Sequence, residues 1–188
     1  QSMDCVKQRL DTELGLKLLD PSMKDYPSRE DPLTNYNKGT SENGGIFCHA
    51  NAWVVIAECM IGRPDNAWKY YSQLIPFNAS KKAGLEKYKA EPYVYSSNIF
   101  GPESGEFGYA NVSWLTGTAA WMYIAVTQYI LGIKPEIKGL KISPCIPEEW
   151  DKFKCTRVFR GTKYILSFIK SNGNKEKGIY ENDVKIGD

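Results

Sequence analysis

A single histidine, His49, serves the whole 188-residue chain, and its five cysteines, Cys5, Cys48, Cys59, Cys145 and Cys155, contain no C-x-x-C pair. Structural zinc sites need closely spaced cysteine and histidine, and disulfide frameworks need paired cysteines in an oxidising compartment. Neither pattern is present, so the expectation is reduced thiols and no metal. Charge of one sign is lacking too. With 24 Lys and Arg scattered against 22 Asp and Glu, the net charge of +2 leaves no basic stripe for a nucleic-acid backbone and no polybasic patch for anionic lipid. The longest apolar run, around Ala119 to Leu131, is interrupted by Thr127 and Gln128. It falls short of the roughly 20 residues that cross a bilayer, and the N-terminus lacks a signal-peptide pattern. No membrane partner and a cytoplasmic location are expected. What is abundant is core-forming material: 42% hydrophobic residues, with five Trp, twelve Tyr and seven Phe, mark a packed globular chain and not a disordered one.

Periodicity divides the chain. The run CHANAWVVIAECMIG puts Ala52, Val55, Ile56, Cys59 and Met60 on one helical stripe and stops at Gly62, after which Pro64 starts a second helix. TGTAAWMYIAVTQYILG, ending at Gly132, is apolar around most of its circumference and predicts a helix buried on nearly all sides. Between them lies a Gly, Pro and Ser-rich loop, residues 96–113, too long for a plain connector and therefore a candidate for function. The first forty residues read as irregular loop. Few helix-length stretches follow Leu131, and after GIKPEIKGLKISPCIPEEW the period becomes two, in TRVFRGTKYILSFIKSN and KGIYENDVKIGD, with turn signals at Ser171-Asn172-Gly173 and Glu181-Asn182-Asp183. The reading is mainly α with a C-terminal β region, residues 1–138 and 139–188 respectively.

Two stretches offer chemistry. In ENGGIFCHAN, residues 42–51, His49 opens a helix just past an Asn-Gly-Gly turn. Helix-start amides, glycines that permit close approach and an imidazole together suit an anion. The alternative is an ordinary structural histidine. Cys48 beside it does not make a nucleophile and base, because adjacent helical side chains point about 100° apart. In SWLTGTAAW, residues 113–121, Thr116, Gly117 and Thr118 stand where a loop enters the longest helix, which suits phosphate or simply an N-cap. The P-loop spacing is absent. Trp53, Tyr93, Tyr95, Trp114 and Trp121 could stack on sugars, although at least half of them are expected in the core.

Taken together, ENGGIFCHANAW, EPYVYSSNIFGPES, SWLTGTAAWMY, GLKISPCIPEEWDKF and FRGTKY resemble, in order, the C-terminal third of the cellobiose phosphorylase family, which includes cellodextrin, laminaribiose and chitobiose phosphorylases. The opening VKQRLDTELGLKLLDP fits the same family, so nearly all of the chain is covered. The resemblance implies an inverting phosphorolysis of a β-linked disaccharide or oligosaccharide to α-glucose 1-phosphate. It is related to inverting glycoside hydrolysis, with phosphate in place of water and no general base. Phosphate is then a co-substrate and no cofactor is implied. By resemblance, phosphate is held by His49 with Thr116 and Gly117, while Glu42 and Ser97 belong to the sugar subsites. Ser41 stands where cellobiose-cleaving members often carry a basic residue, and Ser97 where some carry glutamine; both differences point away from cellobiose.

The family's general-acid aspartate and phosphate-binding arginine precede the ENGG string. Asp4, Asp11, Asp20, Asp25 and Asp31 do not match the catalytic motif, so no catalytic residue is assigned here. The implied fold is the last helices of an (α/α)6 barrel followed by a small β-sheet module. The implied assembly includes the remainder of the catalytic domain and is compatible with a homodimer. Alone, the 188 residues are expected to be inactive and to expose apolar inner-helix faces. A non-catalytic carbohydrate-binding module and the phosphorylase-like part of a cyclic glucan synthase are the alternatives.

Overall fold

The computed structural model describes residues 1–23, 36–170, 178–181 and 184–187. The turn signals at 171–173 and 182–183, and Asp25 and Asp31, lie outside them.

The first helix, α1 (Ser2–Arg9), buries no residue. It is followed by a small hairpin of β1 (Asp11–Thr12) and β2 (Gly15–Leu16), where the sequence suggested only irregular loop. A helix without an apolar stripe leaves no periodic signal, and short strands leave little more. The aspartates of this region are structural: Asp4 pairs with Arg63, Asp11 with Lys69 and Asp20 with Lys17.

Helix α2 (Cys48–Met60) is central and packs on α3 (Pro64–Leu74), on α6 (Thr118–Ile124) and on the π turns that continue α6 over Ala125–Ile130. Its buried side carries Cys48, Asn51, Ala52, Val55 and Glu58. The stripe is therefore rotated from the expected one, and Met60 is 74% exposed. As expected, α3 begins at Pro64 with its fixed φ. Helices α4 (Pro76–Ala83) and α5 (Leu85–Tyr88) complete the helical layer. Two clusters form the core. One is built on Ile46, Ala52, Leu74, Ile99 and Met122, the other on Leu16, Val55, Tyr70 and Ile130. Each wholly buried aliphatic side chain contributes on the order of 1.5–3 kcal/mol.

The expected loop of residues 96–113 is largely a hairpin. Strand β4 (Ser96–Ile99) pairs antiparallel with β5 (Ala110–Ser113) and, on its other edge, with β3 (Ile46–Phe47), which runs directly into α2. This three-stranded sheet fixes the start of α2 against the approach to α6.

At Gly132 the helical layer ends. A Cβ there would lie 2.0 Å from the Ser143 carbonyl oxygen, and φ is +66°. Four antiparallel hairpin strands follow: β6 (Ile133–Glu136) with β7 (Gly139–Ile142), and β8 (Lys152–Phe159) with β9 (Thr162–Ile169). Strands β10 (Ile179–Glu181) and β11 (Val184–Gly187) form a further pair. The period-two stretches correspond to β8 to β11, whereas β6 begins at Ile133, within the residues expected to belong to the helical part.

Candidate functional site

His49 lies one residue inside α2, whose N-terminus has no side-chain cap. Its ring sits among Trp53, 5.5 Å away between centroids, Trp121 at 5.8 Å, and Gly117. A Cβ on Gly117 would stand 3.1 Å from His49 Cε1 and 3.7 Å from Nε2. Helix α2 and the start of α6 therefore meet edge to edge at the imidazole, and glycine at 117 leaves it room. The Nε2 atom is buried and has no hydrogen-bond partner. Nearly all buried polar groups are paired, so an unpartnered ring nitrogen at a helix start is an exception to that rule.

Thr116 is engaged locally. Its hydroxyl lies 2.6 Å from that of Thr118 and accepts from the Thr118 amide at 3.2 Å, a local turn around Gly117, which is itself the N-cap and leaves α6 without a side-chain cap. It also leads directly into Gly117, so its position follows the His49 contact. Upstream, Val112 and Trp114 both have positive φ, of 53° and 70°, an unfavourable conformation that is most costly for a β-branched residue. The Trp114 indole donates to Glu91 at 3.1 Å. Hydrogen bonds from the Glu91 backbone and then from Ser113, with a smaller part from Trp114, hold the Glu91 carboxyl below its ordinary range.

Glu42 is half-buried on the turn before β3, with one carboxylate oxygen buried and unpartnered. Ser97 is half-buried in β4. Its neighbour Asn98, opposite Phe47 in the sheet, is 3% exposed and has an unpartnered Oδ1. Sequence reasoning passed over Asn98; the available signal was an asparagine inside a strand, where that residue is disfavoured. His49 and Gly117 are thus brought into contact, while Glu42 and Ser97 lie on flanking elements.

Cys48 points the other way. Its thiol meets the Ile46 carbonyl and the Ser96 hydroxyl, and burial pushes its pKa up to about 12, so it remains a thiol beside the site. The aromatic residues depart from expectation. Only Tyr95 packs against the core, whereas Trp53, Tyr93, Trp114 and Trp121 are 55%, 77%, 69% and 37% exposed. The α6 helix is likewise not buried all round: Ala119, Ala120, Trp121 and Tyr123 face outward. No group of metal-ligating side chains occurs among the described residues.

The family model of the glycosyl hydrolase 94 superfamily, catalytic domain, matches residues 1–132. The chain belongs to the glycosyl hydrolase 94 superfamily. The match ends at Gly132, where the helical layer gives way to strands. Among its relatives, the chain is 40% identical over 179 residues to N,N'-diacetylchitobiose phosphorylase of Vibrio proteolyticus, which covers 95% of this chain and 22% of that protein. It is 36% identical over 179 residues to solabiose phosphorylase of Paenibacillus borealis, covering 95% and 23%. It is 32% identical over 188 residues to cyclic beta-(1,2)-glucan synthase NdvB of Rhizobium meliloti (strain 1021), covering 97% and 6%. The glycosyl hydrolase 94 chain described here therefore spans less than a quarter of the length of these relatives. No helix among its described residues is long and apolar enough to cross a membrane.

Proposed function

We propose that this chain supplies the phosphate site, and part of the sugar site, of an inverting glycoside phosphorylase. The observation that carries the proposal is His49, whose buried, unpartnered Nε2 lies beside Gly117 at the junction of two helices. An imidazole N–H there donates to a phosphate oxygen, the Gly117 region offers backbone amides, and Thr116 closes the site from the preceding turn. Glu42 and Ser97 lie on the sugar side, and the exposed Trp53 and Trp121 offer apolar ring surface to a pyranose.

In the proposed reaction a phosphate oxygen attacks the anomeric carbon of a β-linked glycoside. The glycosidic C–O bond breaks as a carboxylic acid protonates the leaving oxygen, and the product is an α-glycosyl phosphate. Phosphate is already anionic, so no base is required. The acid is assigned to the portion of the relatives beyond this chain, as is the remainder of an (α/α)6 barrel. Residues 1–138 would then be the end of that barrel and 139–188 a β module beside it, in a cytoplasmic enzyme.

Two relatives act, by name, on N,N'-diacetylchitobiose and on solabiose. The serines at positions 41 and 97 favour substrates of that kind over cellobiose. The experiment is phosphate consumption by the intact protein with a panel of β-linked disaccharides, compared with His49→Ala. Loss of one preorganised donor should lower turnover about 10²–10³-fold, with partial recovery at high phosphate. Unchanged turnover would remove His49 from the site. The match to the glucan synthase across nearly all of the chain favours, as a second reading, a role in processing a β-1,2-glucan. In that case no disaccharide on the panel would yield a glycosyl phosphate. Sugar binding without any turnover would point to a carbohydrate-binding module.

A further inference from the structure

Helix α3 follows α2 through a short turn, so its second turn lies beside the end of α2, opposite the end that carries His49. There Trp68 is half-buried. Its ring stacks on Tyr71, with centroids 5.6 Å and planes 19° apart, and Trp150 lies 4.9 Å away at a steep angle of 69°. Two open clefts, of about 360 and 500 Å³, adjoin this ring and share Trp68 and Lys69 as lining. Both volumes suit a small ligand, and neither cleft contains a residue of the His49 site.

The first cleft has unused hydrogen-bonding capacity. Ser72 and Gln73 line it, and the Ser72 hydroxyl oxygen and Gln73 Oε1 are buried without partners. The Gln73 amide is anchored from its other side, where Nε2 donates to the Thr12 carbonyl at 2.6 Å and to Asp11 at 3.4 Å. Oε1 is thereby held in place as an acceptor. The charges around it are already matched, because Lys82 pairs with Glu13 at 3.1 Å and Lys69 pairs with Asp11. The second cleft adds the carboxylates of Asp65, Glu148 and Glu149. Such a lining leaves no cation for an anionic ligand. It combines an apolar ring with acceptors that call for hydroxyl groups.

We propose that Trp68 is the platform of a second carbohydrate-binding site, which takes a neutral oligosaccharide. One pyranose lies against the indole, its hydroxyls donating to Gln73 Oε1 and bonding to the Ser72 hydroxyl. The next sugar unit occupies the adjoining cleft and donates to the carboxylates there. The site holds a glycan at the end of α2 remote from His49, and it does not depend on the phosphate reading.

The test is calorimetric titration of the intact protein, without phosphate, with cellotetraose and with chitotetraose as probes. At least one should bind, and Trp68→Ala should weaken one class of sites at least tenfold. Trp68 also packs against the core, so Ser72→Ala serves as a second variant. It should weaken the same sites severalfold while the melting temperature stays within a degree or two. Replacing Trp53 and Trp121 by serine should leave these sites unchanged. The proposal is overturned if neither probe binds, if either the Trp68 or the Ser72 variant binds both probes as tightly as the parent, or if the Trp53 and Trp121 replacements abolish all binding. No bond is cleaved in any arm, so phosphorolysis and its dependence on His49 are decided separately.

Discussion

At position 117 a methyl group would meet His49 Cε1 at 3.1 Å, closer than nine in ten such contacts. Gly117 is exposed and its φ of −79° is ordinary for any residue, so the constraint is the neighbouring ring and not the backbone. Gly117→Ala should therefore raise the KM for phosphate, by about tenfold if one charge-assisted contact is weakened, while the melting temperature stays within a degree or two. A large fall in thermal stability with unchanged KM would instead make Gly117 a packing residue. His49 stands out in the sequence because it is the single histidine and follows a Gly-Gly turn. Its Trp53 and Trp121 flanks do not, since tryptophan is usual in cores and its exposure depends on which helices pack. Asn98 and the buried Glu58, with both oxygens unpartnered, were invisible for a similar reason: burial of a polar side chain is a tertiary fact.

Elements are held in place by a few buried polar ties. The Asn51 side chain accepts from the Leu16 amide at 2.7 Å and donates to the Leu16 and Phe47 carbonyls at 3.0 and 2.9 Å. One residue thus fastens the β1–β2 hairpin and the end of β3 to the first turn of α2, two positions from His49. Asn51→Ala leaves a buried amide and carbonyl unpaired and should cost roughly 2–4 kcal/mol, read as a lower denaturant midpoint at constant m-value. A shift under about 0.5 kcal/mol would mean that water replaces the side chain. The sequence showed α2 and α3 clearly, through their apolar spacing and the Gly62 and Pro64 punctuation. It concealed α1, which has nothing buried to announce it, and the β4–β5 hairpin, whose Gly, Pro and Ser content imitates a loop.

Over the whole molecule, the rings of Trp53, His49 and Trp121 cluster at 5.5–6.2 Å on a face that remains open. Leu115 and Tyr123, 80% and 57% exposed, lie on the same approach to and course of α6. Exposed apolar surface of this kind binds dyes and other chains. The 188-residue chain prepared alone should enhance 1-anilinonaphthalene-8-sulfonate fluorescence, and replacing Trp53 and Trp121 by serine should reduce that signal severalfold. An unaltered signal in the double variant would place the sticky surface elsewhere, for instance on the β8–β9 hairpin, where Val158, Ile165 and Ile169 are exposed. The strands near the C-terminus were legible from the change of period, whereas the small sheets of β1–β2 and β3–β4–β5 among the helices were not, so the chain is a mixed helix and sheet segment and not mainly helical with strands confined to its end.

The junction at Gly132 also sets how far related sequences can drift. Gly62 has open space where a side chain would go, so asparagine, which tolerates a left-handed backbone, can replace it there. Gly132 has the same left-handed backbone but faces the Ser143 carbonyl and the Pro144 nitrogen, within 2.0–2.4 Å of any added carbon. In a saturation library the first position should accept several residues and the second a single one, so the junction between helices and strands depends on glycine in a way that the turn after α2 does not.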